Sequence, residues 1–282
     1  MPLSQIIIRT VLALLAFAGN SLLCRLALKT TSIDAASFTS IRMMSAAAVL
    51  AVILNVRNKP IGPQGDWPSA FALFAYAAGF SLAYINLTTG TGALLLFGAV
   101  QMTMIGYGLW RGDHFNRLQI CGLALALGGL IGLVLPGLSA PPAPSAALMI
   151  GAGIAWGIYS LRGRGGVDPI GITAGNFLRT LPMTVVFSLA FIDKFQIDFW
   201  GVIFAIASGA LTSGIGYAIW YSVLPSLKAK QAATLQLSVP VIAALGAVAL
   251  LGEQLSLRLL FTSTAIICGI WMVIYERPKA QL

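Results

Sequence analysis

The stretch "GYAIWYSVL" (residues 216–224) repeats the character of "GFSLAYINL" (79–87). Each opens on glycine, carries an aromatic ring in the second place and a tyrosine in the sixth, and closes on leucine. The two lie 137 residues apart, and the same offset sets Arg42 in "FTSIRMM" on Arg179 in "GNFLRTL". After a shift of three, "RGDHFNRLQICGLALALGG" (111–129) falls on "LGEQLSLRLLFTSTAIICG" (251–269). The chain therefore reads as two related halves, 1–138 and 145–282.

Composition says what each half is made of. Hydrophobic residues are 58% of the 282 and charged residues only 9%, with a mean hydropathy of +0.90. A water-soluble domain carries roughly 25% charged residues, so most of this surface faces lipid. A helix crosses the hydrocarbon core with about 20 apolar residues. Ten such segments follow: 9–28, 35–55, 68–88, 91–110, 117–135, 145–161, 170–192, 200–223, 231–251 and 258–276. The breaks between them are rich in Gly, Pro and charge, as in "NVRNKPIGPQGD" and "RGRGGVDP". The fold expected is all-α and integral to the membrane. The first 24 residues are expected to be a retained first helix, since no small-residue cleavage site follows the apolar run. Cys24, Cys121 and Cys268 show no paired spacing and are expected to pack in the core.

Five spans per half is an odd number, so the second half enters the membrane upside down. Such inverted repeats commonly place a substrate site near the midplane between them. The net charge of +9 reads as topology and not as a nucleic-acid surface. With the N-terminus in the cytoplasm, eleven Lys and Arg fall inside: Arg9, Arg57, Lys59, Arg111, Arg117, Arg162, Arg164, Lys228, Lys230, Arg277 and Lys279. Four fall outside (Arg25, Lys29, Lys194 and Arg258), and Arg42 and Arg179 lie within spans. That is a clear positive-inside bias, with both termini inside. Trp67, Trp110, Trp200 and Tyr275 sit at span ends as interface anchors do.

The sequence resembles the EamA-type branch of the drug/metabolite transporter superfamily, over nearly its whole length. The resemblance rests on the span arginines Arg42 and Arg179, on the interior Pro240 to Ala243, and on an acid closing the fourth span of each half (Asp113, Glu253). Within that superfamily it is most similar to the YddG-type aromatic amino acid exporters of bacteria. The resemblance implies a basket-shaped bundle whose first, third, fourth, sixth, eighth and ninth spans surround a central cavity. It also implies that the second and seventh spans, with Arg42 and Arg179, stand away from that cavity. Where the family pattern has Trp-Gly in the first span this chain has Ala18-Gly19, while the sixth span keeps Trp156-Gly157. A bacterial inner-membrane location and a monomer are expected.

The embedded chemistry is sparse. All eight acids (Asp34, Asp66, Asp113, Asp168, Asp193, Asp198, Glu253, Glu276) and the one histidine, His114, fall in loops or at span ends. Proton-driven pumps use such groups within the membrane, and an intramembrane enzyme needs a nucleophile with a base or metal ligands. No enzyme, metal or cofactor is expected, and transport without proton coupling is. Gln101, Asn20 and Gln236 are amides that lipid cannot satisfy; each either bonds a neighbouring helix or contacts substrate. Arg42 and Arg179 read as a repeated helix brace, with a pair of anion sites as the alternative.

Tyr76, Phe80 and Tyr84 recur every fourth residue and make one stripe on the third span. Trp156 and Tyr159 are neighbours on the sixth, and Phe97 lies in the fourth. In the eighth, "SGALTSGIGY" (208–217) is small and polar at mid-membrane, with Ser213 the counterpart of Tyr76. Tyr217 reads as a cavity residue, Tyr221 as a gate partner of Tyr84, and Trp220 as a membrane-surface anchor. An aromatic cavity with few amides suits a neutral or zwitterionic solute with an apolar side chain. The leading expectation is an exporter of hydrophobic or aromatic amino acids and related metabolites. The rivals are a carrier of phosphorylated or nucleotide-linked metabolites, and a non-transporting membrane scaffold.

Overall fold

The computed structural model describes residues 2–274 except 61, 63, 113, 114, 136, 138, 139, 164–167, 228–231, 233 and 234. Asp113, His114, Arg164, Lys228, Lys230, Tyr275, Glu276, Arg277 and Lys279 thus lie outside the described residues. The described chain is helical, without a strand. Its helices are α1 (Leu3–Thr30), α2 (Ala35–Val56), α3 (Trp67–Tyr84), α4 (Thr89–Trp110), α5 (Arg117–Val134), α6 (Ala143–Arg162) and α7 (Pro169–Ala190). The eighth span is one rod of three pieces: α8 (Phe199–Ala207), a π-helical stretch (Ser208–Ile215) and α9 (Gly216–Val223). Then come α10 (Ser238–Leu251) and α11 (Leu257–Ile274).

Eight of these are long and apolar enough to cross a membrane. The 14-residue α10 is shorter, and α3 is diluted by Ser and Tyr because most of its surface is covered by protein. α1 begins well before the expected start at residue 9, and Gly252, in the left-handed conformation at φ 62°, ends α10.

The aspartates at the span ends have a local cause. Asp34, Asp66, Asp168 and Asp198 each cap the helix that follows, accepting backbone N–H groups from its first turn. A helix N-terminus leaves those donors unpaired and carries positive partial charge, so a carboxylate there satisfies both. The four capped helices are the second and third spans of each half.

The packing repeats that equivalence. α1 packs on α8, the π stretch, α9 and α10; α6, its counterpart, packs on α3 and α4. α2 packs on α7, and each also packs on the other half's third span. α5 packs on α11, where Gly122 faces the Gly269 carbonyl and Gly129 faces Ile266. Helices in lipid gain little from apolar burial against one another, so close glycine crossings of this kind hold them by dispersion. Each half therefore lends its first helix to the other, which leaves the middle of the bundle walled by both.

The perimeter is apolar, with Ile, Leu, Val and Phe exposed along α1, α5, α7, α8 and α11. Trp67, Trp110 and Trp200 are exposed at helix ends, as expected of anchors. Two expectations fail at this surface. Cys121 and Cys268 are exposed, and only Cys24 of the three is buried. α5 and α11 form a pair at the edge of the bundle, so residues on their far faces meet lipid and not core. Trp220, expected as an anchor, is buried and packs edge-on against Phe17 at 5.7 Å.

Candidate functional site

Where the two halves meet, six spans enclose a small cavity. Its walls are Phe17, Asn20 and Ser21 of α1, Tyr76 and Phe80 of α3, Leu96 and Phe97 of α4, Trp156 of α6, Tyr217 of α9, and Gln236 just before α10. These are the first, third, fourth, sixth, eighth and ninth spans, the set the family resemblance implies. The cavity measures about 20 Å³, room for roughly one water molecule. Its walls touch, and a solute the size of an amino acid enters only when the rings part.

The rings form a continuous line across both halves. Tyr84, Phe80 and Tyr76 follow at centroid distances of 4.7 and 5.4 Å. Trp156 lies 4.8 Å from Tyr76 and 5.1 Å from Tyr217, and Tyr217 meets Phe17 edge-on at 5.8 Å. Tyr159 stands beside Trp156 at 5.4 Å, outside the lining.

Beneath the rings is a polar layer. The Asn20 amide donates to the Tyr76 hydroxyl at 3.0 Å and accepts from Ser208 at 2.8 Å and Thr212 at 3.4 Å. Arg42 reaches the same place from α2. Its Nη2 donates to the Tyr76 hydroxyl at 3.0 Å and its Nε to Ser213 at 3.3 Å, while its guanidinium carbon lies 5.1 Å from the Phe80 ring centre. Tyr76 and Ser213, equivalent positions in the two halves, are thus bridged by one arginine.

Arg42 is not a lining residue, as expected of the second span, but it stands directly behind the wall and not apart from it. The π stretch is the physical reason. Gly209 on it abuts the Arg42 carbonyl and Ser45, so α2 approaches closely enough for its arginine to pass under the Tyr76 ring. Stretches of π-helix are rare and cluster at functional sites. Arg179 behaves differently: its guanidinium donates to the carbonyls of Gln64, Gly175 and Gly62, bracing the turn before α3.

Among the other expected residues, Asn20, Tyr76, Phe80, Phe97, Trp156, Tyr217 and Gln236 line the cavity, and Ser213 lies behind Tyr76. Gln101 is buried, does not line the cavity, and its Nε2 finds no partner among the described residues. Tyr84 and Tyr221 do not meet. The Tyr84 hydroxyl donates to the Thr89 carbonyl, at the end of the bundle where α3 finishes. The Tyr221 hydroxyl lies by Gly163, where α6 finishes beside the start of α3. Inversion puts equivalent residues at opposite ends, so the pair cannot form one gate. Phe17, Ser21 and Leu96 are the additions that the structure makes to the expected lining, and Arg42 stands behind it, bonded to Tyr76.

Each end is closed by charge. At one, Arg25 pairs with Glu253 at 3.3 Å and donates to the carbonyls of Tyr84 and Ile85; Glu253 also accepts the Thr89 N–H at 2.7 Å, capping α4. At the other, Arg162 pairs with Asp66 at 2.9 Å and Lys59 with Asp168 at 2.7 Å. Partial burial pushes the Asp66 carboxyl up, but bonds from Ser69 and Arg162 outweigh it and hold it below the usual range. The Arg162–Asp66 pair is exposed and contributes little; the Arg25–Glu253 pair is nearly buried and ties α1, α4 and the α10–α11 turn together. A double-mutant cycle of Arg25→Met and Glu253→Gln, read by melting in detergent, is expected to give a coupling of about 1–3 kcal/mol. Additive losses would mean that the pair does not latch this end.

A roomier hollow of about 160 Å³ lies on the outer face between α4, α10 and α11. Aliphatic side chains wall it, with Ser263 the lone hydroxyl, and it offers a polar solute little to bind.

A ten-helix bundle of two interlocked halves, closed at both ends around a central aromatic cavity, is the architecture of a membrane transporter. Residues 143–275 match the EamA-like transporter family. The uncharacterized protein PA1977 of Pseudomonas aeruginosa is 54% identical over 98% of this chain and 97% of its own length. The uncharacterized transporter YoaV of Bacillus subtilis is 22% identical over 83% of this chain and 85% of its own. A protein crystal structure at 15% identity shares the fold, with a TM-score of 0.65 over 96% of this chain and 97% of that one. The second half of the chain thus carries an EamA-like transporter domain, and the chain as a whole, similar over most of its length to an uncharacterized transporter, is a multi-pass membrane protein.

Proposed function

We propose that the protein exports hydrophobic and aromatic amino acids and related zwitterionic metabolites across a bacterial inner membrane. It does so by alternating access, as a facilitator without proton coupling, and with both termini in the cytoplasm. The observation that carries this reading is the cavity wall: Tyr76, Trp156 and Tyr217 from both halves, with the Asn20 and Gln236 amides beside them. Aromatic faces bind an apolar side chain, and the amides and hydroxyls orient its polar end. No carboxylate or imidazole is among the lining residues, so the wall itself offers no proton relay of the usual kind. The ends, one tied by the nearly buried Arg25–Glu253 pair and the other spanned by the weaker, exposed Arg162–Asp66 pair, suit the two gates that alternating access needs.

A carrier of phosphorylated metabolites using both span arginines has less support, because Arg179 is committed to the carbonyls of Gln64, Gly62 and its own helix, and Arg42 alone stands beside the site. The test is counterflow into proteoliposomes with a panel of amino acids, with and without an imposed pH gradient. Phenylalanine, tryptophan, leucine and their analogues are expected to exchange at rates that the gradient leaves unchanged. Flux that requires the gradient contradicts the facilitator, and selective flux of sugar phosphates contradicts the substrate class.

A further inference from the structure

Arg42 is 1% exposed, lies within a membrane span, and has no ion-pair partner among the described residues. The three ion pairs found there engage Arg25, Lys59 and Arg162. Its contacts are neutral: the Tyr76 and Ser213 hydroxyls and the Tyr76 and Phe80 rings. Its Nη1 has no hydrogen-bond partner among the described residues. Arg179, the equivalent residue of the other half, bonds three carbonyls through Nη1 and Nη2, so a structural role at this repeated position does not of itself leave both guanidinium ends short of acceptors.

A cation held in a bilayer interior with neutral contacts is costly, and such groups face a substrate or ion path. Here the path is adjacent. Tyr76 lines the cavity with its ring, and its hydroxyl is held jointly by Arg42 and Asn20, itself a lining residue. A planar guanidinium with a free N–H matches a carboxylate in two-point geometry. One fixed positive charge balances one negative charge, and a phosphate dianion would leave the site net negative.

Resting on the transport reading above, we infer that Arg42 is the carboxylate anchor of the transport site. The substrates are solutes carrying one carboxylate on an apolar or aromatic body, with the carboxylate bound by Arg42 and Asn20 beside Tyr76 and the body between Trp156 and Tyr217. An amine lacking the carboxylate meets an uncompensated cation and is rejected. The anchor sets substrate class, which a brace between α2, α3 and the π stretch would not.

The test uses the full chain in proteoliposomes with L-phenylalanine counterflow, and 3-phenylpropionate, phenylalaninamide and phenethylamine as competitors. Against the unmodified protein, 3-phenylpropionate is expected to compete at least tenfold better than the amide or the amine. Arg42→Lys is expected to keep that order with weaker competition, and Arg42→Gln, if it elutes and melts like the parent, to abolish it. Equal competition by all three in the unmodified protein overturns the anchor, and so does an unchanged order in a folded Arg42→Gln. If L-phenylalanine shows no flux, the transport reading fails, and binding of 3-phenylpropionate followed by tryptophan fluorescence decides the anchor separately. Binding lost in Arg42→Gln or weakened in Arg42→Lys sustains it; no binding overturns it too.

Discussion

Gly209→Val is expected to yield no folded protein. A Cβ at this position falls inside contact distance of the Arg42 carbonyl oxygen and the Ser45 hydroxyl, and 2.9 Å from the Arg42 carbonyl carbon. The obstacle is mostly backbone, which cannot turn aside as a flexible side chain can. Relief requires α2 and the eighth span to separate, which withdraws Arg42 from Tyr76 and Ser213 and breaks the packing of α2 on the π stretch. Overpacking usually costs about 1–3 kcal/mol, and a collision with a neighbouring helix backbone at mid-span belongs at or beyond the upper end. Gly151 is the control: nothing lies within 4 Å of a Cβ built there, so Gly151→Val is expected to express and melt like the parent. Size-exclusion profiles and melting in detergent check both. A well-folded Gly209→Val would mean that the close crossing is not what holds the site together.

Asn20→Leu is expected to leave a folded protein that transports at least tenfold more slowly. The side chains are similar in size, so packing changes little. Three hydrogen bonds disappear, those with Tyr76, Ser208 and Thr212. Tyr76 keeps Arg42, and Thr212 keeps the Ser208 carbonyl. The group left stranded is the Ser208 hydroxyl, and hydrogen bonds between helices in bilayers average about 0.6 kcal/mol with a maximum near 1.7. Stability therefore falls modestly, while the Tyr76 hydroxyl is no longer aimed and the amide is lost from the cavity wall. Initial rates of counterflow normalised to folded protein check it. Parent-like rates would place substrate recognition elsewhere.

Much of this arrangement is legible in the sequence. The ten apolar runs, the 137-residue offset and the stripe Tyr76, Phe80, Tyr84 locate the bundle and one wall of its cavity. Those features depend on local spacing, which a chain carries openly. What is hidden depends on which way a helix faces. α1 is apolar over most of its circumference, so nothing in it marks Phe17 and Ser21 as inward and neighbouring residues as lipid-facing. Trp220 looks like an anchor until Phe17, some 200 residues earlier in the chain, is found to cover it. Arg42 and Arg179 look equivalent by register, yet the π stretch beside one and the Gly62 and Gln64 carbonyls beside the other give them different contacts. A repeat fixes which residues correspond; only packing says what each touches.

The central claim is that solute binds between the halves, against Tyr76, Trp156 and Tyr217 and beside Arg42. An experimental structure of the full chain with L-phenylalanine bound tests it most directly. The account predicts the aromatic ring between Trp156 and Tyr217 and the carboxylate within hydrogen-bonding distance of the Arg42 guanidinium. Density for the ligand in the hollow between α4, α10 and α11, with the central rings still closed on one another, would contradict it.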